Sequence, residues 1–528
     1  MNTDAIHRPD DLSLCHQIID EQQSTIDILQ RELAQAKHFV EQLLRSRYGP
    51  RSERVDPNQL SMFDARDSDD SAPVPIATAE DRDPLLVREH LRRGGGRGRL
   101  PDHLPREVVD HDLAEVEKLC PCCGETRQRI GCETSKQLEF VPAVLKVIEH
   151  RRWKYACRRC EEQVIIAPVP DKPIAKGLPG PGLLSSVVVS KYADHLPLYR
   201  LEDVFARSGV ELSRSTLCRW AMQAAAILEP VYQMMVERVR SSESIHTDDT
   251  PVPVLDASLP KTRTARFWVY CGDWRNPFTV YDYTTSRKRD GPVEFLKNFE
   301  GYLHADAFAG YDGIYAAGSI KQVLCWAHAR RKFYDARTVQ PEVAHIALAY
   351  IARLYRVERD AKELIGPDGL ESEQAWLVWH QQRLGLRQQH SLPMLGEFRQ
   401  WLQATEQSVL PKSPIGQALQ YVLPRWDGLV RYCENGALSI DNNLSERSVR
   451  PVAIGRKNYL FMGSDNGGKA AAILYSMMAS AKANRVEPFA FVRDLLVQLS
   501  RHSPPAAATL LPDAWLAAHP ETRRCWSR

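Results

Sequence analysis

The chain has 528 residues, of which 43% are hydrophobic and 12 are cysteine, which is enough to build several domains. A formal net charge of +2 excludes a uniformly basic protein, so any surface that binds nucleic acid must be a local patch. The polar start of the chain lacks the apolar core of a signal peptide, and no apolar run is long enough for a membrane span. We therefore expect a cytoplasmic protein with no membrane contact.

Residues 1–48 carry a seven-residue apolar repeat, which is typical of a leucine-zipper-like coiled coil. The first repeat position is apolar throughout: Leu12, Ile19, Ile26, Leu33 and Val40. Gln22 interrupts the second position, as polar residues do where they fix the register of a paired coil. The pattern predicts a homodimer or higher oligomer formed through residues 12–43. A single long helix packed on its own protein is the alternative.

Residues 49–115 are predicted to be a linker, because residues 64–84 are acidic, contain proline and have few large apolar groups. Near the end of this segment, "LRRGGGRGRLP" is basic rather than acidic and is rich in glycine. Four arginines there could follow DNA phosphates or enter a minor groove: Arg92, Arg93, Arg97 and Arg99. A solvated basic linker explains the same composition.

Residues 116–165 contain two Cys-x-x-Cys pairs, in "CPCCGE" and "CRRC". The four thiolates that they supply suit one structural Zn²⁺ in a small β module: Cys120, Cys123, Cys157 and Cys160. In a reducing compartment such a cluster favours metal over disulfides. A buried reduced cluster without metal is the alternative.

Residues 175–240 read as helices joined by a short turn at Gly209, with Ser213 or Ser215 capping the second helix. This spacing resembles a helix-turn-helix, whose second helix could enter a major groove. The candidate DNA contacts on that helix are Arg214, Thr216 and Arg219. Helix pairs of this kind also occur as plain packing units.

Residues 241–330 contain five strand-like runs, three that read as antiparallel and two that could lie parallel to the first. This is the layout of an α/β ribonuclease-H-like core. We expect the first strand, in "IHTDDTPVPVLD", to end at Asp248 or Asp249, and the fourth to end at Asp306. Two carboxylates brought side by side would need a cation, and hard oxygen ligands favour Mg²⁺.

A third acid is needed to hold two ions, and Glu446 in residues 436–485 is the best candidate. Its local sequence also fits a structural role. Asn443 and Glu446 have the spacing of a capping box, Arg450 could pair with Glu446, and Pro451 would close the helix. Basic side chains beside this glutamate could bind DNA phosphates: Arg447, Arg450, Arg456 and Lys457.

Between the two core segments, residues 331–435 are apolar at helical spacing, so we predict an all-helical insertion. Residues 486–528 are predicted to form a helical tail. Four tryptophans of the insertion are expected in its core rather than as platforms for bases: Trp376, Trp379, Trp401 and Trp426.

The segment "CWAHARRKF" carries Cys325 and His328 just after the fifth strand. The pair either lies beside the metal ligands or is a satisfied structural pair. The basic residues Arg330, Arg331 and Lys332 could bind phosphates. Later in the chain, "GSDNGGKA" nearly matches a phosphate-binding loop, but Ala470 replaces the hydroxyl residue that binds magnesium, so we expect a flexible loop and no ATP binding.

Several of these segments together resemble the transposases of the insertion sequence 66 family. The resemblance rests on "HTDDTPVPVLD", "YLHADAFAGYDGIY", "CWAHARRKFYDA" and "IDNNLSERSVRPVAIGRKNYLFMGSDNGGKA", and extends to the heptads and the cysteine pairs. It implies a DNA transposase that cleaves and joins strands with two Mg²⁺ or Mn²⁺ ions. Family members act on transposon ends and target DNA, and two small accessory proteins usually accompany them.

Carried onto this sequence, the resemblance implies that Asp248, Asp306 and Glu446 are the metal ligands. Asp249 stands where the family usually has glutamate, and the chain reads Asp-Ala-Phe at Asp306 where the family commonly has Asp-Gly-Tyr. Groups expected beside the ligands are Asp249, Cys325, His328, Asn442 and Asn443. The alternatives are a DNA-binding regulator or inactive relic, and a two-metal nuclease that only hydrolyses DNA.

Overall fold

The computed structural model describes residues 22–23, 145–151, 154–155, 165–166, 171–175, 177–256, 258–306, 309–316, 318–365, 370 and 372–524. The predicted coiled coil, apart from the helical residues 22–23, lies outside them. So do the arginine segment and all four cysteines of the predicted zinc site. Near that module, strand β1 (Lys154–Tyr155) pairs antiparallel with β2 (Ile165–Ile166). Residues 145–150 belong to a separate unit from those that follow.

Three helices precede the main sheet: α1 (Pro181–Tyr192), α2 (Leu198–Ala206) and α3 (Arg214–Arg240). The Ser213 side chain accepts a hydrogen bond from the Thr216 backbone N–H, which confirms one of the two predicted caps. Helix α3 is 27 residues long, and most of it packs in the core. Arg214 and Arg219 are exposed on this helix, whereas the Trp220 side chain is buried.

The main sheet has five strands: β3 (Ser244–Val254), β4 (Arg263–Cys271), β5 (Thr279–Thr284), β6 (Gly301–His304) and β7 (Ile320–Val323). Their order across the sheet is β5-β4-β3-β6-β7. Strands β3, β4 and β5 form an antiparallel meander, whereas β6 and β7 run parallel to β3. All five strand positions agree with those expected from the sequence.

The sheet edge at β5 is covered by a helix rather than left open. Backbone N–H groups of Thr279 and Tyr281 donate to the hydroxyls of Ser480 and Ser476, at 3.0 and 2.8 Å. Both serines lie on the helix Asp465–Ala483. Two side chains thus replace the hydrogen bonds that another strand would supply.

Three short helices lie between or after the later strands: α4 (Asp290–Phe295), α5 (Asp312–Tyr315) and α6 (Trp326–Ala336). Helix α6 packs in a second hydrophobic cluster with the predicted insertion. The insertion is all helical, as expected, and consists of α7 (Pro341–Glu363), α8 (Glu373–Leu386), a π-helical turn (Arg387–Ser391), α9 (Leu392–Glu406), α10 (Pro414–Val422) and α11 (Trp426–Val430).

The insertion tryptophans pack against protein groups. Trp426 is 5% exposed, and the Trp379 indole N–H donates to the Ala361 carbonyl oxygen. Trp376 stacks on Trp274 from the loop between β4 and β5, with ring centroids 5.5 Å apart. These contacts support the core interpretation and tie the insertion to the sheet.

A buried ion cluster links the insertion to residues 432–438, which precede the helix that carries Glu446. Glu358 on α7 accepts hydrogen bonds from both Arg383 and Arg387. Arg387 is completely buried and also donates to the backbone carbonyl oxygens of Tyr432, Asn435 and Leu438. Because both charges are desolvated, their mutual pairing is required to keep them inside the fold. The insertion therefore fixes the path of residues 432–438.

The last helices are α12 (Asn443–Tyr459), α13 (Asp465–Ala483), α14 (Pro488–Leu499) and α15 (Pro512–Ala518). The expectation that Pro451 ends the helix is wrong, because α12 continues to Tyr459. The flexible loop expected at residues 463–470 is also wrong. Ser464 caps α13, and Gly467, Gly468 and Lys469 lie within that helix. Among the residues described here, no helix has the length and apolarity needed to cross a membrane.

Candidate active site

The strand register places two predicted ligands side by side. His246 on β3 pairs with His304 on β6, and this is the last parallel pair between the two strands. Asp248 and Asp306 each follow two residues later, and they lie close enough for the charge of Asp306 to raise the pKa of Asp248. The expectation that β3 ends at the aspartates is wrong, because β3 continues to Val254 as the partner of β4. Asp306 does follow the end of β6, as expected.

The adjacent Asp249 points to the opposite face of the sheet. Its carboxylate accepts a hydrogen bond from Arg266 at 2.7 Å and another from Arg287 at 2.9 Å, and its side chain is 5% exposed. Two arginines therefore hold the Asp249 carboxylate, while its charge is still close enough to raise the pKa of Asp248. Its backbone N–H still contributes, because it donates to Asp248 at 2.7 Å.

The electrostatics around Asp248 match a cation site. Burial, together with the negative charges of Asp306 and Glu446, raises the pKa of the Asp248 carboxyl to about 7. A carboxylate whose pKa is raised by two neighbouring carboxylates is stabilised in its charged form when a cation lies between them. Carboxylate oxygens are also the ligands that Mg²⁺ and Mn²⁺ prefer, so the donor set fits a divalent metal.

Glu446 lies in the first turn of α12, and it does not act as the cap that its local sequence suggests. The residue before the helix is Asn442, and no side-chain bond caps it. Asn443 instead bonds to Asp441, at 2.9 Å. The Oε1 atom of Glu446 is buried and has no hydrogen-bond partner. Burial raises the pKa of Glu446, while neighbouring His328 and Arg331 oppose that rise.

Cys325 and His328 lie directly beside Glu446. One ligand atom from each of the three residues lies within 4.8 Å of the others, a spacing that could hold a metal ion. His328 Nε2 is 3.6 Å from Glu446 Oε1. Burial raises the pKa of the Cys325 thiol, so in this environment it is neutral. The arrangement places a soft thiol and an imidazole next to the third carboxylate.

Sequence reasoning missed two histidines beneath the aspartates. His246 and His304 are buried, and their rings stack with centroids 3.9 Å apart. Burial lowers the pKa of His246 to about 4 and that of His304 well below its usual value, so both rings are neutral. The signal was present in the sequence, because both strands carry the same His-x-Asp spacing.

Asn442 connects these histidines to the glutamate helix. This buried side chain accepts from His246 Nδ1 at 3.1 Å and donates to the Thr247 carbonyl oxygen at 2.9 Å. Its backbone N–H points at the Cys325 sulfur, 3.2 Å away. One residue therefore joins β3, the start of α6 and the start of α12. Asn442 lies four residues before Glu446, so its bonds hold the start of the helix that carries this glutamate.

The predicted basic contacts fall into different environments. Arg331 is exposed and close enough to Glu446 to affect its pKa, and Arg447 and Arg450 are exposed on α12. Arg330 and Lys332 instead lie over the rings of Tyr334 and Tyr421.

Farther along the chain, Arg456 donates to the Thr250 hydroxyl and the Pro251 carbonyl oxygen, whereas Lys457 is exposed. On α3, Thr216 hydrogen-bonds to the Ser213 cap, and this bond occupies its hydroxyl.

Comparison with known proteins gives these features a family. Residues 176–470 match the family model described as "Transposase IS66 family". The chain belongs to this family of transposases. Residues 117–161 match the "zinc-finger binding domain of transposase IS66", and residues 35–109 match "Transposase C of IS166 homeodomain". Together the matches fit a multidomain IS66 transposase with leucine-zipper, zinc-finger and Asp-Asp-Glu regions.

Curated relatives span almost the whole IS66 chain. The uncharacterized protein y4jD of Sinorhizobium fredii is 32% identical over 515 residues, which cover 93% of this chain and 96% of the relative. The uncharacterized protein y4hP of the same organism is 30% identical over 513 residues, covering 92% of this chain and 89% of the relative. The similarity thus extends over nearly the whole length of this chain.

Proposed function

We propose that this transposase cleaves and joins DNA strands with three carboxylates, Asp248, Asp306 and Glu446, on a ribonuclease-H-like core. The observation that supports the proposal is the register of β3 and β6, whose last pair, His246 and His304, lies two residues before each aspartate. Glu446 is close enough to raise the pKa of Asp248. The mixed five-stranded sheet supports the fold assignment.

The three carboxylates would hold two Mg²⁺ or Mn²⁺ ions. Such ions, when bound, neutralise charge on the phosphodiester and make water or a 3′-hydroxyl a better nucleophile. The protein's own contribution is to fix the ligands. The Asp249 backbone N–H orients the Asp248 carboxylate, and Asn442 holds the start of the helix that carries Glu446.

Cleavage at a transposon end would leave a 3′-hydroxyl. This hydroxyl would then attack a phosphodiester of the target DNA, form the new junction and displace the 3′ oxygen of the target strand. One phosphodiester bond forms for each that breaks, so joining requires no ATP. His328 lies beside Glu446 and is partly open to solvent, so it is placed to contact the scissile phosphate.

DNA binding in this proposal is shared among separate modules. Around the active site, exposed Arg331, Arg447 and Arg450 would contact phosphates. The Arg214–Arg219 helix start and the arginines at 92, 93, 97 and 99 would bind duplex outside the catalytic site. One Zn²⁺ held by Cys120, Cys123, Cys157 and Cys160 would order the module between them. Residues 12–43 would join two or more copies, and two small proteins of the same element could assist.

The proposal is tested with labelled DNA from the element's end and a plasmid target. Wild type is expected to cut the end and join it to the plasmid when Mg²⁺ is present and EDTA is absent. Glu446→Gln keeps the side-chain shape, removes the charge and should abolish both steps. Equal cleavage by wild type and Glu446→Gln would refute the three-carboxylate mechanism.

The same assay separates the two alternatives. A nuclease that only hydrolyses would cut the end but produce no joined plasmid. A DNA-binding regulator or inactive relic would shift the labelled DNA in a gel and cut nothing with either metal. The presence of all three carboxylates favours catalysis over the regulator or relic, and only the joined product distinguishes transposition from plain hydrolysis.

A further inference from the structure

Helix α12 continues past the active site into a strained turn. Leu460 follows the helix with φ of 67° and ψ of −47°, and the Phe461 N–H donates to the Tyr459 carbonyl oxygen at 2.8 Å. This is a γ-turn of the hand that is rare and strained for residues other than glycine. A large side chain therefore occupies a conformation that favours glycine.

The strained turn is held firmly from both sides. The Leu460 N–H donates to the Arg456 carbonyl oxygen, at 2.8 Å. Beyond the turn, buried Met462 forms a bridge with the end of β3, through hydrogen bonds with Pro253 and Leu255 of 2.8 and 2.9 Å. Strain of this kind persists only where the surroundings impose it.

The turn projects two apolar side chains into solvent. Leu460 is 64% exposed and Phe461 is 42% exposed, although both neighbours of the pair are at least partly buried. Folding alone would favour a glycine and a polar residue here, since neither side chain contributes much burial. The combination of strain and exposure indicates a binding role.

The surface leading to the turn is basic. Exposed residues recur at helical spacing along one face of α12: Arg447, Arg450, Ile454 and Lys457. Between Asn443 and Phe461 the only acidic residue is Glu446. Two nearby acids, Asp256 and Asp465, are both paired with Arg263. This charge suits a polyanion rather than a second copy of a nearly neutral chain.

We propose that Leu460 and Phe461 form a wedge that enters duplex DNA and unstacks one base step, while the basic face of α12 follows the phosphates. The inference rests on the proposed function, because it requires that DNA reach Glu446. Apolar wedges of this kind open and kink base steps in other DNA-binding proteins. Fourteen residues of helix separate Glu446 from Leu460, or about 21 Å, which corresponds to roughly six base pairs of a duplex lying along α12.

The test uses duplexes of the element's end, each carrying the fluorescent base 2-aminopurine at one position. Calcium replaces magnesium, so that the DNA is bound but not cut. Wild type should raise the fluorescence at one step, roughly six base pairs from the cut. Phe461→Ala should lose that signal and bind about tenfold more weakly, as expected for one lost stacking contact. Phe461→Trp should keep the signal.

Leu460→Gly tests whether the Leu460 side chain serves the opening of DNA or the stability of the fold. It should raise the melting temperature, because glycine relieves the strained φ, while the fluorescence signal falls. Leu377→Ala on α8 is the control, because Leu377 is 42% exposed, as Phe461 is. It should change neither the melting temperature nor the fluorescence signal.

An unchanged 2-aminopurine signal with Phe461→Ala would overturn the inference, as would cutting by wild type without any opened step. A lower solution mass for Phe461→Ala without DNA would reveal a self-association surface and contradict the wedge. If wild type neither binds nor cuts the DNA, the proposed function fails, and the wedge fails with it.

Discussion

His246 and His304 stack on each other two residues before Asp248 and Asp306, where β3 and β6 form their last parallel pair. The stack favours this register of β3 against β6, because a slip of one residue would turn the aspartate of the displaced strand to the other face. Both rings are buried and neutral, so the layer beneath the carboxylates adds no charge to the site. The position of the aspartates is thus set by packing below them.

The two adjacent aspartates should respond differently to the same substitution. Asp248→Asn should abolish Mg²⁺-dependent DNA cleavage and leave the fold intact. Asp249→Asn should retain cleavage but lower the free energy of unfolding by about 2 kcal/mol, because it removes the charge that pairs with Arg266 and Arg287. Cleavage assays and urea unfolding measure the two effects. Loss of cleavage with Asp249→Asn at full stability would contradict the assignment.

Asn442 should affect rate as well as stability. Asn442→Ala removes the bonds to His246 and Thr247, so we expect unfolding to cost about 2 kcal/mol less and kcat to fall at least tenfold with little change in KM for DNA. Asn484→Ala is the matched control, because the Asn484 side chain likewise makes two hydrogen bonds, which it donates to the carbonyl oxygens of Pro277 and Ser480. It should lose stability only. Equal kcat for the two variants would refute a positioning role.

Much of this arrangement could be predicted from the sequence, and the exceptions have physical causes. Alternation and turn residues identified all five strands, and apolar residues at helical spacing identified the insertion. Strand register was not visible, so the sequence could not decide how far β3 extends beyond Asp248. The capping interpretation of Glu446 failed because Asn443 is already the first residue of the helix, and Asn442 before it is drawn into bonds with β3, a long-range contact that local spacing does not encode. Pro451 does not end the helix for a related reason. The buried face of α12 stabilises the helix on both sides of the proline.

Gly436 should be intolerant of any side chain. A Cβ atom there would overlap the carbonyl oxygen of His380, and the segment leading to Glu446 would have to move. Gly436→Ala should therefore lower the free energy of unfolding by about 2 kcal/mol and reduce cleavage. Gly385→Ala on α8 meets no atom within 4 Å and should raise stability by up to about 1 kcal/mol. Thermal unfolding of both variants checks the contrast, and a stable, active Gly436→Ala would contradict it.

His380 should make the insertion sensitive to acid. Burial, with nearby Arg383 and Arg387, lowers the pKa of His380 to about 4 from the usual 6.5. The unfolded chain therefore takes up the proton first as the pH falls, so stability is full above 6.5 and is lost between 6.5 and 4. At about pH 5 the loss from this group is about 2 kcal/mol. His380→Gln should flatten the pH dependence of the urea midpoint, whereas His345→Gln, at an exposed site on α7, should not. An unchanged slope with His380→Gln would contradict the assignment.

The central claim is that Asp306, with Asp248 and Glu446, binds the divalent ions that cleave DNA. The most direct measurement is end cleavage by Asp306→Cys in Mg²⁺ and in Mn²⁺, beside wild type. A thiolate binds Mg²⁺ poorly and Mn²⁺ better, so the variant should be inactive with Mg²⁺ and regain activity with Mn²⁺, while wild type is active with both. Full activity of Asp306→Cys in Mg²⁺, or no activity in either metal, would contradict a ligand role for this residue.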